Sequence, residues 1–497
     1  MESAGVWMLV AVGLAMVATG LPSWLVLIGV ALVSCVIGLA AGAFTWPLLT
    51  ALPSRVLGLL ENDLLQAMPL YVFLGALLNR LPLAETLLRV GDRALRRTGA
   101  GSSLAGLGLG VMLAPMNGSV GASVAMLTRT VLPRLDASGV TTERAAALVT
   151  VSSTLGIVVP PSLVLILLSD AMLRAHTEAI NVTHNAARVI NTQDVFRGAL
   201  VPAAILLALC AVVTWATVSK AQASGSAGRS TPTGADWLTA AVTLLLILAL
   251  LSAVTLGYLY AVEAAATGGV VLVLFALARR ALSFSALKEV LRDTMAVTGA
   301  LFALLVGATV FTLILRAFGT DRWVTSLLAM PAPGGVYGPV LVVLLVLGLC
   351  AFVLDAFEMI FVVVPVLIPP LLMRVPDAVW VAVLILLILQ TSFLIPPFGY
   401  AVLMLRNRLA HPIDGKRFVR ALLPYLLAQL AVLVLVLAFP GYLWRDSTTL
   451  SAPAAPAAGK RTDEELDELL RRQTERPDAG DTTEPLAPTQ ESERKRR

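Results

Sequence analysis

Four short polar stretches interrupt the apolar segments of this 497-residue chain, and each gathers groups able to hold an ion. The first is Pro115-Met116-Asn117-Gly118-Ser119-Val120-Gly121-Ala122-Ser123, and the second runs from Ser152-Ser153-Thr154-Leu155-Gly156 to Pro160-Pro161-Ser162. In the second, two prolines remove two amide donors and Gly156 lets the chain unwind. Freed carbonyls and hydroxyls can then surround a cation, while the restarting half-helix turns its positive end toward an anion. A purely structural proline kink is the competing reading. The third stretch, Phe352-Val353-Leu354-Asp355-Ala356-Phe357-Glu358, places two carboxylates three residues apart. An ionised group there costs roughly 2.5 to 3.5 kcal/mol on insertion scales, so each should have a cation, a proton or a polar partner. Asp355 reads either as an ion ligand or as the cap of the following helix, and Glu358 as structural or pore-facing. The fourth stretch is Gln390-Thr391-Ser392-Phe393-Leu394-Ile395-Pro396-Pro397-Phe398-Gly399. Glu263, among small residues in an apolar run, reads as an intramembrane structural hydrogen-bonding group.

The elements that carry these residues must be membrane helices. The chain is 58% hydrophobic and 13% charged, with a mean hydropathy of +0.87, more apolar surface than one soluble core could hide. Runs such as Leu238 to Val254 and Ala421 to Phe439 approach or reach the roughly 20 residues needed to cross a bilayer as helix, and several such runs predict a polytopic protein. The first run, Val6 to Thr19, follows Glu2 rather than a basic segment and reads as a retained helix rather than a cleaved signal. The net charge of +5 and pI near 9.3 come from short basic clusters between apolar runs, without the basic, aromatic-laced face that nucleic acid requires. Cys35, Cys210 and Cys350 lie far apart in apolar segments and read as buried thiols. His176, His184 and His411 fall in or beside polar loops, without the converging partners of a metal site.

Gly101 to Leu135 consists of two apolar arms around the first polar tip. Each arm is too short to span at about 1.5 Å per residue, and arginines stand at both ends: Arg96 and Arg97 before, Arg134 after. A re-entrant hairpin fits this pattern, with its tip near mid-membrane in a cavity that satisfies its backbone; a kinked pair of full helices joined by a structural glycine turn is the alternative. Ala145 to Met172 follows as a broken helix. Val336 to Met373 and Val379 to Leu405 repeat the order, and the separation of tip from proline pair is 43 residues from Asn117 to Pro160 and 41 from Asp355 to Pro396. The basic cluster falls before the first unit and after the second, which predicts an inverted repeat with binding at the midplane.

The expected divisions are helices over 1–92, a first hairpin and broken helix over 93–173, and further helices over 174–335, with a Gly/Ser/Thr-rich connection near 220–236. A second hairpin and broken helix follow over 336–405, then a last helix over 406–446 and a charged tail over 447–497. Phe284 to Met295 reads as an interfacial amphipathic helix ahead of the next crossing, and Trp323 to Met330 as another. His176 to Asp194 reads as an Asn- and Thr-rich loop on the non-cytoplasmic side, where both chain ends are also expected.

Together, Gly121-Ala122-Ser123-Val124, Thr154 to Ser162, Glu263-Ala264-Ala265-Ala266, Phe352 to Asp355 and Leu389 to Gly399 resemble the large membrane subunit of tripartite ATP-independent periplasmic (TRAP) transporters, the DctM-like family, over about Met68 to Trp444. Within it they look most like the branch of mannitol, chloroaromatic and 2-oxo acid transporters. The resemblance implies an all-α polytopic elevator of the ion-transporter superfamily in the bacterial inner membrane. It would take an organic acid from a periplasmic binding protein, couple uptake to sodium with no other cofactor, and work with a small four-helix, DctQ-like subunit. On this resemblance Asn117, Ser119, Ser123, Ser153, Thr154 and Gly156 would supply one sodium, and Asp355, Thr391, Ser392 and Gly399 a second. Ser119, Pro161, Ser162, Thr391 and Pro397 would face the substrate. The tip Asn117-Gly118-Ser119-Val120-Gly121 departs from the Gly-Ser-Ser of many members, Val262 replaces a threonine, and the tail after Trp444 lies outside the family pattern.

Two other classes share part of this pattern. A stand-alone ion-coupled carboxylate carrier would share the architecture and lack the partners. An intramembrane hydrolase using Asp355 would need a second aspartate able to share its proton, and none is evident; nor is there an HExxH zinc motif. The expectation is a transporter and not an enzyme.

Overall fold

Apolar segments that leave water must satisfy their own amides, and helix is the local solution. The computed structural model describes residues 4–116, 119–184, 188–222, 232–329, 335–409 and 412–440, and all regular structure among them is helical. Asn117, His411, most of the Gly/Ser/Thr-rich connection and the tail lie outside the described residues. Six helices there are long and apolar enough to cross a membrane, or seven if one bent pair counts as a span.

Helix α1 (Ala4–Thr19) turns at Gly20, which takes a positive φ of 62°, into α2 (Ser23–Ala40). The short α3 (Leu52–Leu60) leads to α4 (Asp63–Arg80) and α5 (Leu83–Ala94). The last two meet at 65° where Pro82 interrupts them.

The first polar unit follows. Helix α6 (Gly101–Leu113) is 13 residues long and α7 (Val120–Thr130) 11, about 20 and 17 Å of rise against about 30 Å of hydrocarbon. Pro133 sits in the first turn of the short α8 (Leu132–Ala137). Asp92 closes the base: it accepts a hydrogen bond from Ser102 at 2.6 Å, Ser102 lies 3.0 Å from Ser138, and Arg134 approaches the same carboxylate at 3.9 Å. The two ends of the hairpin are therefore tied at one level, and arms of 13 and 11 residues are too short for a pair of full crossings, as in a re-entrant hairpin. Helix α9 (Thr142–Leu155), the break and α10 (Leu163–Thr183) complete the unit.

Here one expectation is corrected. The helix does not end near Met172; it runs on to Thr183, and His176 is buried inside it, its Nδ1 accepting from the Ile190 amide at 3.4 Å. Ala175 and Ala179 are also buried, and this buried stripe outweighs the polar residues around it.

Helix α11 (Thr192–Gln222), α12 (Gly234–Leu256) and α13 (Ala261–Ala278) are lipid-length spans. Thr233 and Asp236 close a capping box at the start of α12. Two further corrections fall in this stretch. Glu263 is exposed at a helix end, in the first turn of α13, where it accepts from the Tyr260 amide at 2.9 Å. Phe284 to Met295 is not a separate interfacial helix but the start of one 34-residue helix, α14 (Phe284–Ala317), because no proline or break divides it from the crossing. The expected helix near Trp323 is present as α15 (Thr320–Ala329).

The second unit repeats the order with α16 (Tyr337–Cys350), the three-residue α17 (Ala356–Glu358), a π-helical turn at Met359–Val363 and α18 (Val364–Leu372). Its return arm is thus irregular, with Pro365, Pro369 and Pro370 within nine residues. The Tyr337 and Trp380 rings meet edge to face at 6.2 Å, bringing the start of this hairpin beside the chain that follows it. Helix α19 (Ala378–Ser392), a break and α20 (Tyr400–Arg406) come next, and α21 (Gly415–Ala438) ends the described structure.

The units interlock reciprocally: α10 packs on α18 of the second hairpin, and α20 packs on α7 of the first. At the centre, every residue from Ala145 to Leu155 is buried in α9, and all of α19 except Ile388. A helix buried on all sides carries no polar face, which accounts for the unbroken apolar run of α19 from Ala378 to Leu389. The outer spans instead show large apolar side chains outward, such as Leu245 and Leu274.

Candidate ion and substrate site

At the first break α9 stops at Leu155 and α10 restarts after Ser162. Ser162 caps the restart: its hydroxyl accepts from the Leu165 amide at 3.1 Å and donates to the Ile157 carbonyl at 2.9 Å. Ser119 does the same for α7, accepting from the Ala122 amide at 3.1 Å. Between these caps lies a void of about 10 Å³, lined by Ser119, Ser123, Ser153, Gly156 and Ser162 among others, room for about one water-sized occupant. Ser153 donates its hydroxyl proton to the Thr150 carbonyl at 2.7 Å, and Ser123 donates to the Ser119 carbonyl at 3.1 Å. With those protons spent on backbone, the oxygens offer lone pairs. That suits a cation and disfavours an anion.

Gly156 makes the convergence possible. A β-carbon there would stand 2.4 Å from the Ala114 Cβ and 2.7 Å from the Pro115 nitrogen, so hairpin tip and break approach closely only because the residue lacks one.

At the second break the same residue types are placed differently. Thr391 and Ser392 are buried and donate to the Leu387 and Ile388 carbonyls within α19, at 2.7 and 2.8 Å. Gly399 is again required, because a β-carbon would lie 2.5 Å from the Phe393 carbonyl oxygen. Asp355 caps α17: it accepts from the Ala356 amide at 2.7 Å, while Glu358 reaches back to accept from the Asp355 amide at 3.0 Å. Glu358 also accepts from the Ser23 hydroxyl of α2. Capping, one of two readings of Asp355, is therefore present, and the structural reading of Glu358 holds.

Of the residues singled out from sequence, Ser119, Ser123, Ser153, Gly156 and Ser162 come together around one void. Thr154 lies beside them but donates to the Val151 carbonyl at 2.9 Å and does not line it. Asp355, Thr391, Ser392 and Gly399 belong to the second break.

Two residues there escaped notice as site residues. Gln390 is 1% exposed, and neither atom of its amide has a partner among the described residues; an amide buried in an apolar helix next to a break is a signal the sequence did contain. Tyr400 starts α20, packs its ring on Phe393 at 5.9 Å, and brings its hydroxyl within 3.4 Å of where a Gly121 β-carbon would be. It thereby bridges the two units. Nothing local in the sequence marks it.

Crossing helices around two interrupted helices and two short hairpins define a multi-pass membrane transporter. The model of the family described as "Tripartite ATP-independent periplasmic transporter, DctM component" matches residues 10–442, and the chain belongs to that family. It is a protein of the bacterial inner membrane, in a family of transporters rather than enzymes. Among curated relatives, the C4-dicarboxylate TRAP transporter large permease protein DctM of Pseudomonas aeruginosa is 24% identical over 391 residues, covering 76% of this chain and 85% of the relative. The protein of the same description from Rhodobacter capsulatus is 25% identical over 159 residues, 31% of this chain and 35% of the relative. The crystal structure of the Alcanivorax borkumensis YdaH transporter, described as having an unusual topology, superposes with a TM-score of 0.58 at 16% identity. It covers 80% of this chain and 89% of that one. The expected family and the all-helical membrane fold are borne out.

Proposed function

We propose that the chain is the large membrane subunit of a sodium-coupled importer of an organic acid, receiving its substrate from a periplasmic binding protein and assembled with a small four-helix subunit. The observation that carries this reading is the void at the first break, where hydroxyl oxygens from the hairpin and the broken helix converge with their protons already committed. A cation held there by neutral ligands carries its full charge into a low-dielectric interior. An anion close by lowers that cost, so the two bind more tightly together than apart. On this reading Ser119, Ser123, Ser153 and Gly156 hold one sodium, and Asp355, Thr391, Ser392 and Gly399 a second. The carboxylate lies between, near Ser119, Pro161, Ser162, Thr391 and Pro397. The two hairpins and broken helices move together as a transport unit against a scaffold of the remaining helices. The relatives' descriptions make C4-dicarboxylates the first substrates to try, and the branch resemblance makes 2-oxo acids the second.

The test is uptake into proteoliposomes containing all three components, with succinate, malate and 2-oxoglutarate as substrates. Uptake should require both a sodium gradient and the binding protein, and Asp355→Asn should abolish it. Uptake indifferent to sodium would sink the coupling; uptake without the binding protein would favour a stand-alone carrier.

A further inference from the structure

A cavity of about 480 Å³ lies away from both breaks, where α3 and α14 face α10 and the return arm of the second hairpin. Its size falls in the range that encloses small-molecule ligands. Three arginines from three elements line it: Arg55 of α3, Arg174 of α10 and Arg316 of α14.

Each of the acids nearby pairs with an arginine. Glu178 receives both guanidinium nitrogens of Arg316, at 3.0 and 3.1 Å, and Arg316 also donates to the Pro365 carbonyl at 3.0 Å. Asp170 accepts from Asn62 at 3.1 Å and from the Arg174 Nε at 3.1 Å. Asp321, near enough to feel the charge of Arg55, pairs with Arg316 at 3.5 Å. Arg55 has no ion pair within 4.0 Å among the described residues, and Arg174 spends only its Nε on a carboxylate. The donor capacity left in the cavity is cationic and planar, the geometry that takes a carboxylate in two parallel bonds. Leu305, Ala308, Ile360 and Phe361 supply an apolar wall for a short carbon chain.

We propose that this cavity is a second, peripheral binding site for the organic acid, in which Arg55 and Arg174 grip a carboxylate before the substrate reaches the breaks. The proposal rests on the functional reading above for the identity of the anion. Arg55 stands on the scaffold and Arg174 on the transport unit, so the site is whole only while the two are apposed as here. Arg316 holds that apposition by tying α14 to α10 and α18. Movement of the transport unit separates the two grips and dismantles the site, which makes it a place of arrival rather than passage.

Thr309 lines the cavity, and the detergent-solubilised full chain carrying Thr309→Cys reports on it through maleimide labelling in sodium-free buffer, against the background of the three native cysteines. Succinate at four times its dissociation constant should slow labelling about fivefold by occupancy. Arg55→Gln with Arg174→Gln should remove that protection, and Arg55→Lys with Arg174→Lys should keep part of it, separating lost charge from lost fold. Ser153→Ala should leave it intact. Labelling indifferent to succinate, protection surviving the double glutamine variant, or equal protection by phosphate would each overturn the proposal. The readout uses neither sodium nor uptake. Protection without sodium-coupled transport would therefore sink the functional reading and spare this site, and the reverse result would do the opposite.

Discussion

Both breaks are reached by a helix of about four turns and contain a proline pair and a glycine whose missing β-carbon is required by close packing, yet different chemistry fills them. At the first, neutral hydroxyls from two elements meet around a small void, and the glycine admits a hairpin tip. At the second, the hydroxyls bond within their own helix and two carboxylates cap the hairpin arm, one of them tied to α2 through Ser23. Gly399 there admits only its own loop. A shared backbone plan has been kept while the polar groups on it diverged, so equivalent substitutions should not have equivalent effects.

The largest difference is expected at the glycines. Gly156→Ala forces the first hairpin tip away from the break, and overpacking of this kind costs about 1 to 3 kcal/mol. Because the displaced tip carries Ser119, sodium-dependent uptake should fall by about tenfold or more, a factor of ten for each 1.4 kcal/mol. Gly399→Ala strains a loop against the Phe393 carbonyl and should chiefly lower the amount of folded protein recovered. Comparable losses of uptake per folded molecule in both variants would break the contrast.

The hydroxyls give the next effect. Ser153→Ala removes an oxygen from a neutral site with no formal charge to compensate, and the half-saturating sodium concentration should rise about tenfold, for a lost interaction of about 1.4 kcal/mol. Ser392→Ala leaves the Asp355 charge in place, and the rise should be about threefold, near 0.6 kcal/mol. Titrating sodium against initial uptake rates measures both. A larger shift at Ser392 would reverse the assignment of the principal ion site.

The parts of this picture that were legible in the sequence are those set by local chemistry. Apolar runs gave the spans, and arginines at both ends of arms too short to cross gave the first hairpin. Paired prolines after Gly156 and Thr391-Ser392 located the breaks. What stayed hidden depended on partners distant in the chain. His176 and Glu178 fall in the stretch that reads as a loop yet lie inside α10, their polar atoms satisfied by the Ile190 amide and by Arg316, and only the second of these is remote enough to be invisible in principle. The amphipathic character of Phe284 to Met295 suggested a separate interfacial helix, but periodicity does not report where a helix ends when no breaker follows. Tyr400 and the cavity at Arg55 and Arg174 arise wholly from packing between units. The ion-ligand and capping readings of Asp355 stood equal in the sequence, and the observed cap does not remove the other, since one carboxylate oxygen accepts the Ala356 amide while the group retains further lone pairs.

That residual capacity sets up the smallest effect. Asparagine caps helices about as well as aspartate, and alanine does not. Asp355→Ala should therefore lose about 1 kcal/mol of stability, seen as a lower unfolding midpoint of the detergent-solubilised chain, whereas Asp355→Asn should unfold with the native protein. If asparagine destabilises as much as alanine, the carboxylate charge is holding the fold through its bond to the Ala356 amide, and the second break is a structural joint. If asparagine is stable but uptake is lost, the charge serves the ion. The two breaks would then be two solutions to one problem, a neutral cage at the first and a charged one at the second.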